Sequence, residues 1–551
     1  MLPSRPCTFA ARAGPISRGR ARVPEIEMPR RIMRLSTTVY LFVAAMLMAL
    51  PAASTFARDE FVDRANAAVR KVGDDKRSDK ILLALLPDMT LPPGAVKTQA
   101  DAALFGNRGP NWDECKAWAQ GEPQKKVLAA LVTVTKEEND PQRGFAFGLP
   151  YGLDATEPAM VTKGMYVDLG DPPTLAGARF LYLEKLDHVG ILVHIEASRL
   201  QEAGDPVAAM TLVKNWAFFC RQMCDRPFLQ EKLFGMDFLG LALMRLADIA
   251  YVDFRADKHN FQPSFLVSTV GLLRDRSLYL DRIKLPEAEF IARQQLISRV
   301  IIEKGGPNPQ TFANTMARVA AADRPLKLFS TAAFWEQARG GHAGWYPNQA
   351  ALTAMQTDWQ KRWELSPFDP MQQRKTHFDL KVANRPSLAV VGMGMEGIQE
   401  MFARRRRLEA VQGGARMGMA AYAYFLREKE LPTSLAACRP AFTKAIDVDP
   451  YSSTGRDVEY FIPVRQTPRD RNGNERSPYV IRLWLPEPQP RFEVPLDKSH
   501  FVVYSVGPDD RSMKAETCTQ GRTGEGDFLL WPPPVSLLRQ YLLDNGELGK
   551  P

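Results

Sequence analysis

The sequence has few of the residues, and none of the short motifs, by which common enzyme classes are recognised. It contains six histidines in 551 residues, scattered along the chain. It has no H-E-x-x-H zinc motif, no G-x-S-x-G nucleophile turn and no phosphate-binding G-x-x-x-x-G-K-[ST] loop. His188 and His194 are six residues apart, which places them on different faces of a helix and argues against a shared metal. These absences leave no named catalytic class, so a protein without catalytic activity is favoured.

Cysteine is also scarce. Five cysteines follow the first 57 residues, too few for a disulfide scaffold in a chain of this length. Cys220 and Cys224 are one helical turn apart and lack a C-x-x-C pattern, so we expect them in the core. Cys438 and Cys518 both lie in the C-terminal segment, and they are the pair we expect if the chain carries a disulfide; the sequence leaves open whether it does.

Excess positive charge is confined to the N-terminus. Residues 1–57 contain eight arginines and two acidic residues, a net charge of +6, which leaves +3 of the total +9 for the rest of the chain. A basic face does not follow from that balance, and we expect no nucleic-acid partner.

The N-terminal segment has the plan of a secretory signal peptide. Three arginines precede an apolar run over residues 39–50, and small residues follow near Ala57. We therefore expect an exported protein, periplasmic or extracellular, with the signal peptide cleaved after Ala57. Met28 and Met33 are alternative starts of translation, because residues 1–27 resemble neither a domain nor a leader. The apolar run is short for a membrane span, and an uncleaved leader is the alternative that would place the chain at a membrane.

Changes of hydrophobic period divide the chain behind its leader (1–57). Residues 58–173 form an N-terminal helical region that ends in a Gly/Pro-rich stretch, 135–173, where short strands or ordered loops are expected. Consecutive amphipathic helices with short connections over 174–383 are typical of an irregular helical array or bundle. A long helix and then short alternating runs occupy 384–551. The predicted fold class is mainly α, with a C-terminal α+β module made of the long helix and a small antiparallel sheet.

Helix boundaries within the helical region follow from glycine, proline and aspartate. The segment from Leu175 to Gly204 predicts one long amphipathic helix closed by that glycine. Asp205 and Pro206 then predict a cap and the start of the next helix. Pro286 opens a later helix in the same way.

Three glycines, Gly392, Gly394 and Gly397, match the G-x-G-x-x-G pattern of dinucleotide-binding turns. That fold also needs a second strand and an acidic residue about 20 positions further on. Here the following residues keep helical spacing, so we interpret the glycines as sites of close helix packing and expect no nucleotide. The basic run Arg404 to Arg407 is interpreted as a solvated helix face.

A distinctive set of residues follows that long helix, which ends near the sequence LPTSL. The set comprises Asp449-Pro450, Gly455, Tyr460, a turn with Tyr504, Ser505, Gly507 and Asp509, then Gly526-Asp527 and Trp531. Over about residues 415–534 this segment resembles the globular part of type II secretion major pseudopilins. It is also similar to uncharacterised exported bacterial proteins that join a helical body to a related C-terminal module.

The resemblance implies a calcium site, because the last loop of the pseudopilins binds calcium. Asp509 and Asp527 are the residues here that would supply its carboxylates. The chain departs from the family in that loop, where Met513, Lys514 and Arg522 replace a glycine-rich acidic run. The pilin-type processing site is also absent, so a filament subunit is not expected, and a purely structural loop is the alternative to a calcium site.

The favoured function is therefore an exported noncatalytic protein, a protein-interaction or structural component with unknown protein partners. The alternative is an exported hydrolase with its site near the 135–173 loop region. A weaker alternative, resting on the C-terminal resemblance alone, is a peripheral component of a secretion or pilus-like machine. The polar cluster of Asp253, Asp257 and His259 is interpreted as a capped turn at a helix end.

Overall fold

The computed structural model describes residues 59–136, 144–274, 278, 280–321, 341–463, 479–485, 491–520 and 526–549. The leader (1–57) and positions 137–143 of the Gly/Pro-rich stretch lie outside the described residues. The helices are α1 Glu60–Asn66, α2 Ser78–Leu82, α3 Gln99–Phe105, α4 Trp112–Ala119, α5 Glu122–Thr135, α6 Pro158–Thr162, α7 Leu183–Glu202, α8 Pro206–Met223, α9 Leu229–Arg255, α10 Pro263–Leu272, α11 Glu287–Val300, α12 Phe312–Ala321, α13 Trp345–Glu364, α14 Ala389–Gly392, α15 Glu396–Glu428 and α16 Pro534–Asp544. The strands are β1 Val167–Asp168, β2 Arg179–Phe180, β3 Glu459–Phe461, β4 Tyr479–Trp484, β5 Arg491–Leu496, β6 Val502–Ser505, β7 Thr517–Thr519 and β8 Phe528–Trp531.

The protein is mostly helical, with small sheets in its C-terminal region, as the sequence predicts. Helix α9 packs against α8 on one side and α15 on the other, and α7 packs against α8. Gly235 lets α8 and α9 approach closely, because a Cβ there would lie 2.6 Å from the backbone nitrogen of Cys224. Arg58–Pro551 forms one compact unit. In the described part of the chain, no helix is both long and apolar enough to cross a membrane.

Capping residues begin and end helices where the sequence predicts. Gly204 has φ +79° and follows the end of α7. Asp205 accepts a hydrogen bond from the amide of Ala208 at 2.9 Å, and Pro206 is the first residue of α8. Pro286 directly precedes α11. These three boundary predictions are confirmed.

The start of α7 differs from the prediction. The helix begins at Leu183, eight residues after the predicted start at Leu175. Residues 179–180 form β2, which pairs antiparallel with β1 across the Gly/Pro-rich stretch. The prediction of one long helix from Leu175 is wrong at its start. Residues 179–180 have helical spacing, but they form a strand because they pair with β1.

The C-terminal strands form two three-stranded sheets. One is antiparallel with the order β3-β6-β8. The other has the order β5-β4-β7, in which β4 pairs antiparallel with β5 and parallel with β7. The small antiparallel pairing predicted for this region is therefore present, and the second sheet is mixed because β7 adds a parallel pairing to it.

Helix α15 joins the helical body to the first of these sheets. Two of its glycines, Gly414 and Gly418, lie against β8, where an added Cβ would be 2.4 Å from Leu530 and 2.3 Å from Trp531. The same helix packs against α9 and α10 of the body. The helical body and the sheet β3-β6-β8 therefore both pack against α15, and the glycines of this helix allow β8 to approach it closely.

Candidate functional site

The Gly/Pro-rich stretch is anchored by a buried polar network. Tyr151 donates a hydrogen bond to Glu231 at 2.7 Å, and Tyr182 donates to the other carboxylate oxygen. Arg226 forms an ion pair with Glu231 at 2.9 Å and donates to the carbonyl of Leu149 at 2.6 Å. Burial raises the pKa of both tyrosines well above its usual value, which keeps them neutral donors. This network supports packing of the stretch, since its side chains are buried and partnered.

The cluster around Asp253 closes a turn at the end of α9. Its carboxylate accepts hydrogen bonds from the amides of Asn260 and Phe261 and from the hydroxyl of Tyr422 at 2.6 Å. His259 contacts the carbonyl of Asp253 through Nδ1 at 2.9 Å. The aspartate is 4% exposed, so its oxygens serve the turn and α15. The interpretation as a capped turn fits these contacts.

The three glycines of the G-x-G-x-x-G pattern lie where α14 meets α15: Gly392 is the last residue of α14, Gly394 lies in the turn, and Gly397 lies in the first turn of α15. A strand does not precede them, because residues 386–392 form a 3-10 turn and α14. Arg293 donates hydrogen bonds to the carbonyls of Val390 and Met393, both at 2.8 Å. Gly394 has φ +77°, which glycine tolerates at a turn. The pattern therefore marks a helix junction.

The four arginines that follow are not a solvated face. Arg405 donates to the carbonyl of Trp363 at 2.9 Å and stacks over its ring. Arg406 and Arg407 lie over the rings of Tyr451 and Phe528 in the C-terminal module. The interpretation from charge alone is wrong because aromatic and carbonyl partners arrive from segments distant in sequence.

The structure brings the two predicted calcium ligands close together: Asp509 lies in the loop between β6 and β7, and Asp527 directly precedes β8. Asp509 accepts a hydrogen bond from the amide of Gly526 at 3.1 Å, and Asp527 accepts from the amides of Met513 and Ala515. Burial raises the pKa of Asp527 to about 6, although the amide hydrogen bonds act to lower it. The negative charge of nearby Asp509 also raises the pKa of Asp527.

The negative charges of Asp509 and Asp527 suit a cation, but the hydrogen bonds that their carboxylates accept do not. Ca²⁺ takes six to eight oxygen ligands, whereas the contacts described at these two carboxylates are with amide nitrogens. Among the described residues, no three His, Cys, Asp or Glu side chains stand together as a metal site. The loop described here is organised by hydrogen bonds to the two aspartates.

The cysteines of the C-terminal segment do not form a disulfide. Cys438 and Cys518 are both buried and free, and the thiol of Cys518 donates to the carbonyl of Ala515 at 3.5 Å. The pairing considered from the sequence is therefore wrong. Cys220 and Cys224 are fully buried, as expected of core residues.

A second buried network ties α16 to the helical body. Arg539 makes two hydrogen bonds of 2.9 Å to the carboxylate of Asp248 on α9 and donates to the carbonyls of Ala103 and Leu104. Burial alone would raise the pKa of Asp248, but Arg539 and Arg245 outweigh burial and lower it to about 2. The C-terminal helix is thus fixed to α3 and α9 by an ion pair removed from water.

His194 lies beside this network and is fully buried. Neither of its ring nitrogens has a hydrogen-bond partner in the described part of the chain. Burial, and then the positive charge of Arg245, lowers the pKa of His194 to about 3. The side chain is therefore neutral in the folded protein at pH 7.

A groove of about 580 Å³ opens beside the same helices. Its walls are the turn after α3, the end of α9, strand β5, the residue His500 and one side of α16. The sequence does not predict this groove, because its walls come from segments separated by hundreds of residues.

A serine, a histidine and an aspartate occur together at one end of the groove. Ser499 donates to Asp497 Oδ1 at 2.6 Å, and His500 Nδ1 lies 2.9 Å from the same oxygen. In a catalytic triad the histidine stands between the serine and the acid and uses both ring nitrogens. Here both side chains meet one carboxylate oxygen within a single turn, so the arrangement stabilises the turn. Hydrogen bonds from Ser499 lower the pKa of Asp497, in keeping with a charged cap.

Comparison of the chain with protein-family models, curated proteins and solved structures finds no match. The functional interpretation consequently depends on the geometry above.

Proposed function

We propose that the chain is an exported protein without catalytic activity that acts as a protein-interaction or structural component. The main support is the way in which the polar clusters are used. Glu231, Asp253 and Asp248 all accept hydrogen bonds that fasten one segment to another. Such networks suit a rigid scaffold, because buried polar groups with all partners in place favour one conformation.

Export is the part of this proposal that the leader supports. The mature protein would begin at Arg58, one residue before Asp59, which is the N-cap of helix α1. Mass spectrometry of the protein recovered from the extracytoplasmic fraction tests this proposal. A chain that begins at Arg58 is expected. A chain that keeps its leader in the membrane fraction would support the anchored alternative.

The alternative, an exported hydrolase near residues 135–173, is tested by activity. The mature chain should be assayed on chromogenic esters, peptides, glycosides and phosphate esters, beside a Glu231→Gln variant. We expect no turnover above the rate without protein. Turnover that disappears in Glu231→Gln, with folding retained, would replace the scaffold proposal by the hydrolase.

The pseudopilin-like nature of the C-terminal module, and with it a role at the periphery of a secretion or pilus-like machine, stays a proposal drawn from the resemblance. The arrangement of a long helix packed on an antiparallel sheet supports it. Calcium binding at Asp509 and Asp527 belongs to the same proposal. On this proposal, Ca²⁺ raises the melting temperature of the mature chain, and Asp509→Ala and Asp527→Ala each abolish the rise.

A further inference from the structure

The groove has the size and the mixed lining of a small-molecule site. Ligand pockets span roughly 300–1,000 Å³, and this groove measures about 580 Å³. Four of its wall residues, Tyr251, Phe492, Leu496 and Leu537, are apolar and nearly buried, and they come from α9, β5 and α16. An apolar body of a ligand would find contact surface on three sides.

Arg108 is the cation of the groove that has a buried nitrogen without a hydrogen-bond partner among the described residues. It lines the groove from the turn after α3, and the nitrogen is its Nη1. By contrast, the guanidinium of Arg539 donates hydrogen bonds to Asp248 and to two backbone carbonyls, and Arg255 donates one through Nη1 to Ser499. A buried donor without an acceptor is costly, so Arg108 is the group that would gain most from an anionic ligand.

The acidic residues of the groove do not offer Arg108 that partner. Glu493 forms an ion pair with Arg482 on β4 at 2.9 Å. Asp544 accepts a hydrogen bond from the amide side chain of Gln540 at 2.7 Å. A carboxylate fits Arg108 because the planar guanidinium can present two parallel donors to its two oxygens.

A β-strand from another chain is a poorer occupant. Among the described strands, β5 is at the edge of its sheet and pairs with β4 alone. Its Pro495 has no amide hydrogen, and exposed Arg491 and Glu493 carry charge along the strand. Proline and charge on an edge strand are devices that discourage strand addition.

The walls are held in place without a ligand. Arg539 links α16 to Asp248 on α9 and to the carbonyls of Ala103 and Leu104 that precede the Arg108 turn. Phe492 stacks on Tyr541 with ring centroids 4.7 Å apart, which fixes β5 against α16. A preorganised site loses less conformational freedom on binding.

From these observations we propose that the groove binds a small monocarboxylate with an apolar body, and that Arg108 receives the carboxylate. This inference goes beyond the scaffold proposal and does not depend on export.

The test is calorimetric titration of the mature chain, residues 58–551, with octanoate and separately with 1-octanol. We expect saturable binding of octanoate and weaker binding of the uncharged alcohol. Arg108→Gln should weaken octanoate binding roughly ten- to hundredfold and leave octanol binding unchanged, because a hydrogen-bonded charge pair is lost. The matched control Arg70→Gln, an exposed arginine paired with Asp63, should change neither.

A second variant guards against misfolding of Arg108→Gln. Val252 lines the groove and is 42% exposed, so Val252→Glu adds a negative charge there without disturbing the core. It should weaken octanoate binding at least as much. The proposal is overturned if the wild-type chain shows no saturable octanoate binding. It is equally overturned if Arg108→Gln and Val252→Glu, each folded, bind octanoate as tightly as the wild-type chain.

Discussion

Replacement of Gly418 by alanine should destabilise the protein, although alanine is the better helix former. An added Cβ would lie 2.3 Å from Trp531, and that ring is fully buried. The ring cannot retreat easily, because it stacks on Phe501 at 5.2 Å and meets the edge of Tyr251 at 5.5 Å. Overpacking of a core typically costs about 1–3 kcal/mol, against a gain of roughly 0.5–1 kcal/mol from helix propensity. The difference between this cost and this gain lies between about 0 and 2.5 kcal/mol, and we expect a net loss in its upper part, about 2 kcal/mol, because the ring has no room to move.

The measurement is urea unfolding of the mature chain, followed by tryptophan fluorescence and circular dichroism. Gly271→Ala is the matched control, since Gly271 lies in the exposed last turn of α10 and an added Cβ would touch nothing within 4 Å. The control should be unchanged or stabilised by up to about 1 kcal/mol. If Gly418→Ala is as stable as Gly271→Ala, the close contact between α15 and β8 is refuted.

Three further perturbations test the buried networks. Replacement of His194 by leucine should remove a pH dependence of the stability. The pKa of His194 is about 3 in the folded state, which lies below its value in the unfolded chain. The stability that the neutral side chain contributes is therefore complete above pH 6.5 and falls as pH drops. Between pH 7.5 and pH 5 the wild type should lose about 2 kcal/mol more than His194→Leu in urea unfolding, and parallel losses would contradict this. Arg539→Met leaves Asp248 with one arginine fewer and should cost about 3 kcal/mol, against less than about 1 kcal/mol for the exposed control Arg70→Met. Tyr182→Phe should lower the thermal midpoint by removing a buried donor to a carboxylate, and an unchanged midpoint would show that this hydrogen bond does not contribute.

The helical part of the fold was predictable because local signals and packing agree. Gly204, Asp205 and Pro206 mark a boundary through backbone conformation and capping, which depend on neighbouring residues alone. The helix predicted from Leu175 does not form over its first eight residues, because their conformation depends on residues that are not their neighbours. Residues 175–177 form a 3-10 turn, Arg179 and Phe180 pair with β1, and nothing in the local spacing reveals that pairing.

The C-terminal region shows the same division. Strands β4, β5 and β6 follow from alternating and aromatic-rich runs, whereas the parallel pairing of β4 with β7 depends on where the chain returns. The last helix, α16, was also missed, and it supplies Arg539 and one wall of the groove. Its apolar positions have helical spacing, which is the signal that would have found it.

The candidate site was the least predictable feature. Asp509 and Asp527, the residues that the resemblance indicates, lie close together although β7 separates them along the chain, and a calcium site there stays a prediction. The groove, however, joins Arg108 to residues near Tyr251, Phe492 and Leu537, and no motif spans such distances in sequence. The unpartnered nitrogen of Arg108 cannot be recognised from the sequence, because this requires knowing the hydrogen-bond partners of every neighbouring charged side chain.

The helical body and the C-terminal module form one structural unit, because both pack against α15. Hydrogen exchange with mass spectrometry at increasing urea concentration tests it most directly. In a single unit, peptides from β8 and α16 lose protection together with peptides from α8 and α9. Loss of protection in β8 and α16 at a lower urea concentration, while α8 and α9 stay protected, would contradict it and show that the module unfolds independently.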